Sequence, residues 1–191
     1  MRDADDASRS ASKHGHDQSV VLRTPSLVLR RLRLTDAPRI FELSREATLR
    51  ERIPDQVYRD EREARGVLRH LVAQYAVADP RSAPYVLAID LGTPNELVGH
   101  VGFSPLAGEV EIGYAIAMAH QGRGRATEGV GAAAQWALRT FALQSIVGVV
   151  AADNAASCKV LERCGFLLER EGERMLHRRP QSARLYRLAG G

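Results

Sequence analysis

The sequence MAHQGRGRATEGVGAAAQWALRTF, residues 118–141, has a glycine and arginine run directly before the pattern of an amphipathic helix. Apolar residues recur at the spacing of one helix face, at Val130, Ala133, Ala134, Ala137, Leu138 and Phe141. Glycine weakens regular structure but lets the backbone turn or approach a ligand closely, so Gly122 and Gly124 indicate a specialised loop. The amides of residues 122–127 would lie at the positive end of the helix dipole, where phosphate groups bind, and Arg123 and Arg125 would add positive charge.

The glycine spacing excludes two common phosphate-binding loops. The chain has no Gly-Lys-Ser/Thr after the loop, and Gly122, Gly124 and Gly129 do not match the pattern G-x-G-x-x-G. For this stretch by itself, an ordinary turn between a strand and a helix is the better interpretation.

The composition indicates one globular domain. The chain has 191 residues, of which 45% are hydrophobic and 26% charged, and this is enough to bury a full core. Residues 1–19 are polar and lack apolar periodicity, so we expect a disordered leader followed by a single domain over residues 20–191. No apolar run is long enough to span a membrane and no secretory signal is evident, which predicts a cytoplasmic protein. Cys158 and Cys164 are best interpreted as idle thiols, and no metal site is predicted.

The net charge of +4 raises the alternative of a basic protein that associates with RNA or the ribosome. Only Lys13 and Lys159 are lysines, and the arginines are spread along the chain rather than clustered. The chain also lacks an aromatic platform for stacking bases. Binding to nucleic acid is therefore disfavoured.

The remaining patterns predict an α/β domain with about seven strands. The segment SLVLRRLRL, residues 26–34, predicts an opening strand with a bulge, and two helices follow it. A hairpin turns at LGTPNE, where Gly92, Pro94 and Asn95 are turn formers. The segment EVEIGYAIAM, residues 109–118, is the fourth strand and leads into the glycine loop. SIVGVVAA is the fifth strand, a short helix ends at Gly165, and two strands close the chain.

Two motifs in order resemble the GNAT (GCN5-related N-acetyltransferase) family. Gln121, Gly124 and Ala126 match the family signature Q/R-x-x-G-x-G/A, and NAASCKVLERCGF, residues 154–166, resembles a segment of its ribosomal-protein N-acetyltransferase branch. The resemblance implies the GNAT fold, with a mixed, mostly antiparallel sheet and flanking helices. It also implies a V-shaped gap between strands 4 and 5, and acetyl-CoA as the co-substrate.

The resemblance further implies which residues bind acetyl-CoA. The pyrophosphate would lie on the loop amides, and the pantetheine arm would lie along the end of the fourth strand and on the short helix. A backbone amide near Ile116 or Ala117 would stabilise the oxyanion of the thioester. The implied cofactor-binding residues are Ile116, Ala117, Met118, Gln121, Gly122, Arg123, Gly124, Arg125, Ala126, Thr127, Asn154 and Ser157.

The candidate catalytic groups are two carboxylates and one hydroxyl. Glu109 and Glu111 share a strand face, and a glutamate on this strand serves as the base in related enzymes; solvated surface carboxylates are the equal alternative. His100 is a secondary candidate. Leu161 occupies a position where many relatives have a tyrosine acid, so the resemblance implies that Ser157 protonates the thiolate. Asn154 and Ser157 would also suit a helix cap.

The predicted activity is transfer of an acetyl group to a primary amine, on a protein N-terminus or a small molecule, in a ternary complex. A catalytically idle acyl-CoA sensor of the same fold is the alternative. Specificity is expected from LRERIPDQVYRDEREA, residues 49–64, and from LHRRPQSA, residues 176–183. Membrane partners are not expected, and the closing strands are candidates for a homodimer contact.

Overall fold

A mixed sheet of eight strands organises the chain in the computed structural model, which describes residues 19–92 and 96–191. In chain order the strands are β1 (Val20–Arg23), β2 (Val28–Arg31), β3 (Tyr85–Asp90), β4 (Leu97–Leu106), β5 (Glu109–Ile116), β6 (Ser145–Ala151), β7 (Leu167–Leu176) and β8 (Arg179–Ala189). Their order in the sheet is β1-β2-β3-β4-β5-β6-β8-β7. The α/β class of the sequence analysis is confirmed.

Helices cover both faces of the sheet. Three precede the central strands, α1 (Ala37–Ser44), α2 (Ala47–Arg52) and α3 (Glu61–Gln74), and two follow, α4 (Arg125–Thr140) and α5 (Ala155–Arg163). The first three pack with Ala88, Ala115 and Ala117 in one apolar cluster. α4 and α5 pack with the larger cluster on the opposite face. Within the described residues, no helix is long and apolar enough to cross a membrane.

α4 buries the face that its sequence predicts. Val130, Ala133, Ala134 and Ala137 are fully buried, and Leu138 is 6% exposed. The sheet contacts this helix closely because Gly129 faces Ile89 and Leu27, with a hypothetical Cβ 3.3 Å from Ile89 Cδ1. This packing fixes the first turns of α4 against β3 and the start of β2.

The N-terminal part of the domain differs from the prediction in three respects. Two strands, β1 and β2, replace one bulged strand, so the sheet has eight strands rather than seven. Leu34 begins a short 3-10 turn and is 38% exposed, because the Asp36 carboxylate accepts a hydrogen bond from Arg33 N at 2.7 Å and turns the chain. The helix α2 was not predicted. The leader up to residue 18, and Pro94 and Asn95 of the hairpin turn, lie outside the described residues.

A buried charge cluster holds this region together. The Arg30 guanidinium, 3% exposed, donates to Asp90 Oδ2 at 2.6 Å and to Asp36 Oδ2 at 2.8 Å. Asp90 is 1% exposed and Asp36 8%. The cluster joins β2 to β3 and to the turn before α1, and each charge has a partner, as burial of charge requires.

The sheet opens between β5 and β6. These two strands are parallel neighbours whose only paired residues are Glu111 and Val147, whereas β4 pairs with β5 along eight residue pairs. From Glu111 onwards, the edge of β5 that faces away from β4 therefore has no neighbouring strand. β5 and β6 are strands 4 and 5 of the sequence analysis, between which the V-shaped gap was predicted.

Candidate active site

The divergence of β5 and β6 creates a cleft of about 1250 Å³. One wall is the loop before α4, and another is the start of α5. On the opposite side the cleft is closed by residues 48–56 and by the β7–β8 hairpin. These segments are attached directly to strands of the sheet or to helices that pack on it, so the fold positions the site.

The glycine loop has the left-handed backbone that its composition predicts. The φ angles of Gly122 and Gly124 are +71° and +77°, and Gly124 is the N-cap of α4. A Cβ built at either glycine meets no heavy atom within 4 Å. The loop therefore offers backbone amides to the cleft with free approach, which suits a phosphate group at a helix N-terminus.

Three side chains hold this loop in place. Gln121 Nε2 donates to Ile116 O at 2.8 Å, which joins the loop to the end of β5. The Glu128 carboxylate accepts hydrogen bonds from Ser26 N at 2.8 Å and Ser26 Oγ at 2.6 Å, and so ties the first turn of α4 to the β1–β2 turn. The loop is thus preorganised by contacts that do not use its own amides.

Arg125 and His120 form a contact within the cleft. Arg125 Nη1 donates to His120 Nδ1 at 2.5 Å, so the imidazole accepts and is neutral. Burial and then the charge of Arg125 lower the pKa of His120. Arg125 lines the cleft beside the loop amides, whereas Arg123 is exposed and does not line the cleft.

The free edge of β5 supplies further backbone donors. Ala117 N donates to Val98 O at 2.8 Å and is therefore used within the sheet. Because backbone groups alternate in direction along an antiparallel pair, the Ile116 N–H points to the other edge, into the cleft. Met118 N donates to Glu46 Oε2 at 2.7 Å, and neither Ala117 nor Met118 lines the cleft. Of the two oxyanion donors considered from sequence, Ile116 is the one with the suitable direction.

Asn154 and Ser157 meet at the start of α5. Asn154 Oδ1 accepts from Ser157 N at 3.2 Å, so the expected helix cap exists, and both residues line the cleft. This cap uses only the acceptor oxygen of Asn154 and leaves its amide protons for a ligand. Leu161 is fully buried and lies against Gly148, whose hypothetical Cβ would be 2.7 Å from Leu161 Cδ1.

Tyr114 bridges the open sheet to α5. Its hydroxyl donates to Ser157 O at 3.0 Å. Burial raises the pKa of Tyr114, so the phenol stays protonated and remains a donor. The contact holds β5 close to Ser157, at a position along β5 where β5 and β6 do not pair.

The two candidate carboxylates lie in different environments. Glu109 Oε1 accepts from Arg187 Nη1 at 2.6 Å, and Glu109 does not line the cleft. Glu111 lines the cleft, and burial raises the pKa of its carboxyl, although a hydrogen bond from the Val149 amide and the nearby His177 partly offset the rise. Only Glu111 combines access to the cleft with a pKa moved towards neutrality, which a general base requires.

The floor beside Glu111 contains two facing glycines. Gly102 of β4 pairs with Gly113 of β5, between the pair His100–Ala115 and the pair Ser104–Glu111. A Cβ at Gly113 meets no heavy atom within 4 Å. The depression between His100 and Glu111 is therefore open to a small group. Burial lowers the pKa of His100 to about 4, so this imidazole is neutral.

The two segments singled out for specificity meet over the cleft. His177 Nδ1, at the tip of the β7–β8 hairpin, lies 2.8 Å from Asp55 Oδ2. Arg52 Nη1, at the end of α2, donates to Asp153 Oδ1 at 2.7 Å, next to Asn154. Residues 52–56 are thus attached to the β7–β8 hairpin and to the segment before α5.

A family model described as "Acetyltransferase (GNAT) domain" matches residues 26–167. The chain belongs to the GNAT acetyltransferase family. No curated protein sequence matches this GNAT chain. Among solved structures, an acetyltransferase from Agrobacterium tumefaciens is 30% identical, with a TM-score of 0.69 over 87% of this chain and 92% of the other.

More distant GNAT structures share the fold. A RimL ribosomal L7/L12 alpha-N-protein acetyltransferase in complex with coenzyme A is 21% identical, with a TM-score of 0.76 over 89% of this chain and 97% of that one. A microcin C7 self-immunity acetyltransferase in complex with acetyl-CoA and AMP is 18% identical, with a TM-score of 0.76 over 90% of this chain and 97% of the other.

Sequence reasoning about this GNAT domain missed Tyr114, Gly113 and Arg52. Both Gly113 and Tyr114 lie on β5, and the alternation of side chains along a strand was the available signal, since it places Gly113 on the face of Glu111 and Tyr114 on the opposite face. Arg52 carried no signal, because its partner Asp153 is 101 residues away in the chain.

Proposed function

We propose that this protein is an acetyl-CoA-dependent N-acetyltransferase that transfers an acetyl group directly to a primary amine in a ternary complex. The observation that carries the proposal is the cleft between β5 and β6, with left-handed Gly122 and Gly124 at its entrance. A free strand edge and a loop of accessible amides fit the two parts of a coenzyme A molecule, its amide-containing arm and its pyrophosphate.

The binding roles follow from the hydrogen-bonding capacity of each group. The amides of residues 122–127 and Arg125 suit the pyrophosphate. The edge of β5 and the Asn154 amide suit the pantetheine arm, since both have donors directed at the cleft. The Ile116 N–H suits the thioester oxygen, where it would stabilise negative charge that develops during attack.

The reaction requires one base and one acid. Glu111 accepts a proton from the ammonium group, directly or through water, and the neutral amine attacks the thioester carbon. The carbon–sulfur bond breaks, and the leaving thiolate takes the proton of the Ser157 hydroxyl. The new amide nitrogen gives its extra proton to Ser157, directly or through water, which restores the hydroxyl, and Glu111 releases its proton to solvent. Holding both reactants side by side contributes much of the rate, with effective concentrations of about 10⁵ M or more. Tyr114 is a positioning residue, because its hydroxyl contacts the Ser157 carbonyl.

The first experiment is calorimetric titration with acetyl-CoA, CoA and ADP, followed by an assay of thiol release with a set of amines. Ser157→Ala is expected to lower kcat by at least about tenfold and to change the Kd of acetyl-CoA far less. Equal turnover in the variant would remove Ser157 from the mechanism. Binding without any product would favour the alternative of an acyl-CoA sensor.

A second copy of this chain is the proposed partner of β7. This outermost strand is ten residues long, and Leu167, Leu168 and Met175 are 75%, 52% and 66% exposed. An exposed edge strand with apolar side chains favours pairing with another chain. Light scattering of the wild type and of Leu168→Asp tests this, with a dimer expected only for the wild type.

A further inference from the structure

A second cavity, of about 280 Å³, lies next to the cleft and shares lining residues with it. We call it the side chamber. It lies between α1 and α3 on one side and β3 and β4 on the other. Its lining is mainly aliphatic and includes Leu32, Ile40, Leu43, Leu68, Leu71 and Val86. Its volume is close to the lower limit of small-molecule pockets, about 300 Å³.

The side chamber adjoins the cleft beside the end of β5. Val86, His100 and Ser104 line both cavities. His100 pairs with Ala115, the residue before Ile116, and Cα atoms of such paired residues lie about 4.5–5.5 Å apart. The junction of the chamber and the cleft at His100 therefore lies one residue pair from Ile116.

The lining of the chamber is poor in charge, and its polar groups belong to a minority of residues, namely Ser44, Asp55, Gln56, Tyr58, His100 and Ser104. Its charged lining residue, Asp55, lies where the chamber joins the cleft and contacts His177 at 2.8 Å. The Ser44 hydroxyl already donates to Phe41 O at 2.7 Å. A charged side chain deep in the chamber would lose its water without gaining a counter-charge, whereas an apolar one would bury its surface favourably.

We propose that the side chamber is the specificity pocket for the acceptor and holds an apolar or aromatic side chain carried by the carbon next to the reactive amine. This proposal rests on the proposed function, because the amine must lie between Glu111 and Ile116. The acceptor is then an α-amine with an apolar neighbour, either free or at a peptide N-terminus.

The test measures product binding and turnover separately. Calorimetry in the presence of CoA compares N-acetylphenylalaninamide with N-acetylglycinamide. We expect the phenylalanine product to bind at least about tenfold more tightly, since differences of a few methylene groups give discrimination of this order. Thiol release from acetyl-CoA is measured with phenylalaninamide, the peptide Phe-Gly-Gly, glycinamide and argininamide. We expect both phenylalanine acceptors to exceed the other two in kcat/KM by at least about tenfold.

Two variants of α3 provide the structural control. Val67 lines the chamber and is half-buried, so Val67→Phe fills the chamber from its outer wall. Val72 is also half-buried on α3, packs against the same apolar cluster and lines neither cavity. Val67→Phe should abolish the preference for phenylalanine and leave the Kd of acetyl-CoA unchanged, whereas Val72→Phe should retain the preference.

The outcomes separate the two proposals. Equal binding of both products to the wild type, or equal loss of preference in both variants, would overturn the side chamber as a specificity pocket. Absence of thiol release with every acceptor would overturn the proposed function, and the product-binding comparison would still decide the role of the chamber.

Discussion

Replacing Gly124 with leucine should lower both the stability of the fold and the affinity for acetyl-CoA. The φ angle of Gly124 is +77°, and an L-residue in this region costs about 1–2 kcal/mol. For a domain of this size the melting temperature should fall by about 2–8 °C. The Leu side chain would extend into the open space at the loop and block the amides of residues 122–127. Loss of only two charge-assisted hydrogen bonds, at about 1.5–3 kcal/mol each, weakens binding about 10²-fold to 10⁴-fold.

Gly108 provides the matched control. It lies in the β4–β5 turn with a φ angle of +85°, its hypothetical Cβ also meets no heavy atom within 4 Å, and it does not line the cleft. Gly108→Leu should lower the melting temperature by a similar amount and leave the Kd of acetyl-CoA unchanged. The assays are thermal unfolding and calorimetric titration. Wild-type affinity in Gly124→Leu, or equal loss of affinity in both variants, would refute the assignment of the loop to the pyrophosphate.

Three further changes test other parts of the structure. Burial raises the pKa of Glu111, so kcat/KM should rise with pH through a range above the pKa of an ordinary glutamate. This rise should disappear in Glu111→Gln. Identical pH–rate profiles of the wild type and the variant would exclude Glu111 as the base. Gly113→Val adds a side chain to the open floor beside Glu111. The KM for the amine should therefore increase at least about tenfold, while the Kd of acetyl-CoA stays the same. An unchanged KM would mean that the amine binds elsewhere. Arg30→Met removes the guanidinium that pairs with the buried Asp36 and Asp90. The free energy of unfolding, measured by urea denaturation, should fall by about 3–5 kcal/mol. A loss below about 1 kcal/mol would show that the cluster is not a major source of stability.

The parts of the fold that the sequence predicted depend on local patterns. The buried face of α4 follows from helical periodicity, and the left-handed Gly122 and Gly124 follow from the conformational freedom of glycine. The cap of α5 by Asn154 follows from side-chain chemistry within three residues. By contrast, β1 is only four residues long and carries no alternation that a single sequence reveals.

The sequence could not decide between some candidate site residues, because their roles depend on contacts with residues far away in the chain. Glu109 and Glu111 share a strand face, and no local property distinguishes them. They differ because β6 leaves β5 at Glu111 and because Arg187, on the last strand, pairs with Glu109. The contact of Tyr114 with Ser157 likewise joins residues 43 positions apart. Such pairings are set by the register of the sheet, which a single sequence does not specify at this range.

The ion pair between Arg52 and Asp153 has a thermodynamic consequence. It connects a wall of the acceptor region to the residue before Asn154, so a ligand that displaces α2 also disturbs the region proposed for the pantetheine arm. Coupling between two binding sites is reciprocal. If binding of the acceptor strains this ion pair and weakens acetyl-CoA binding by some factor, acetyl-CoA must weaken binding of the acceptor by the same factor. Because both side chains are partly solvated, at 32% and 75% exposure, the pair is worth at most about 1 kcal/mol, which limits this factor to about fivefold. Steady-state kinetics should therefore show random binding of the two substrates, with only a slight preference for one order.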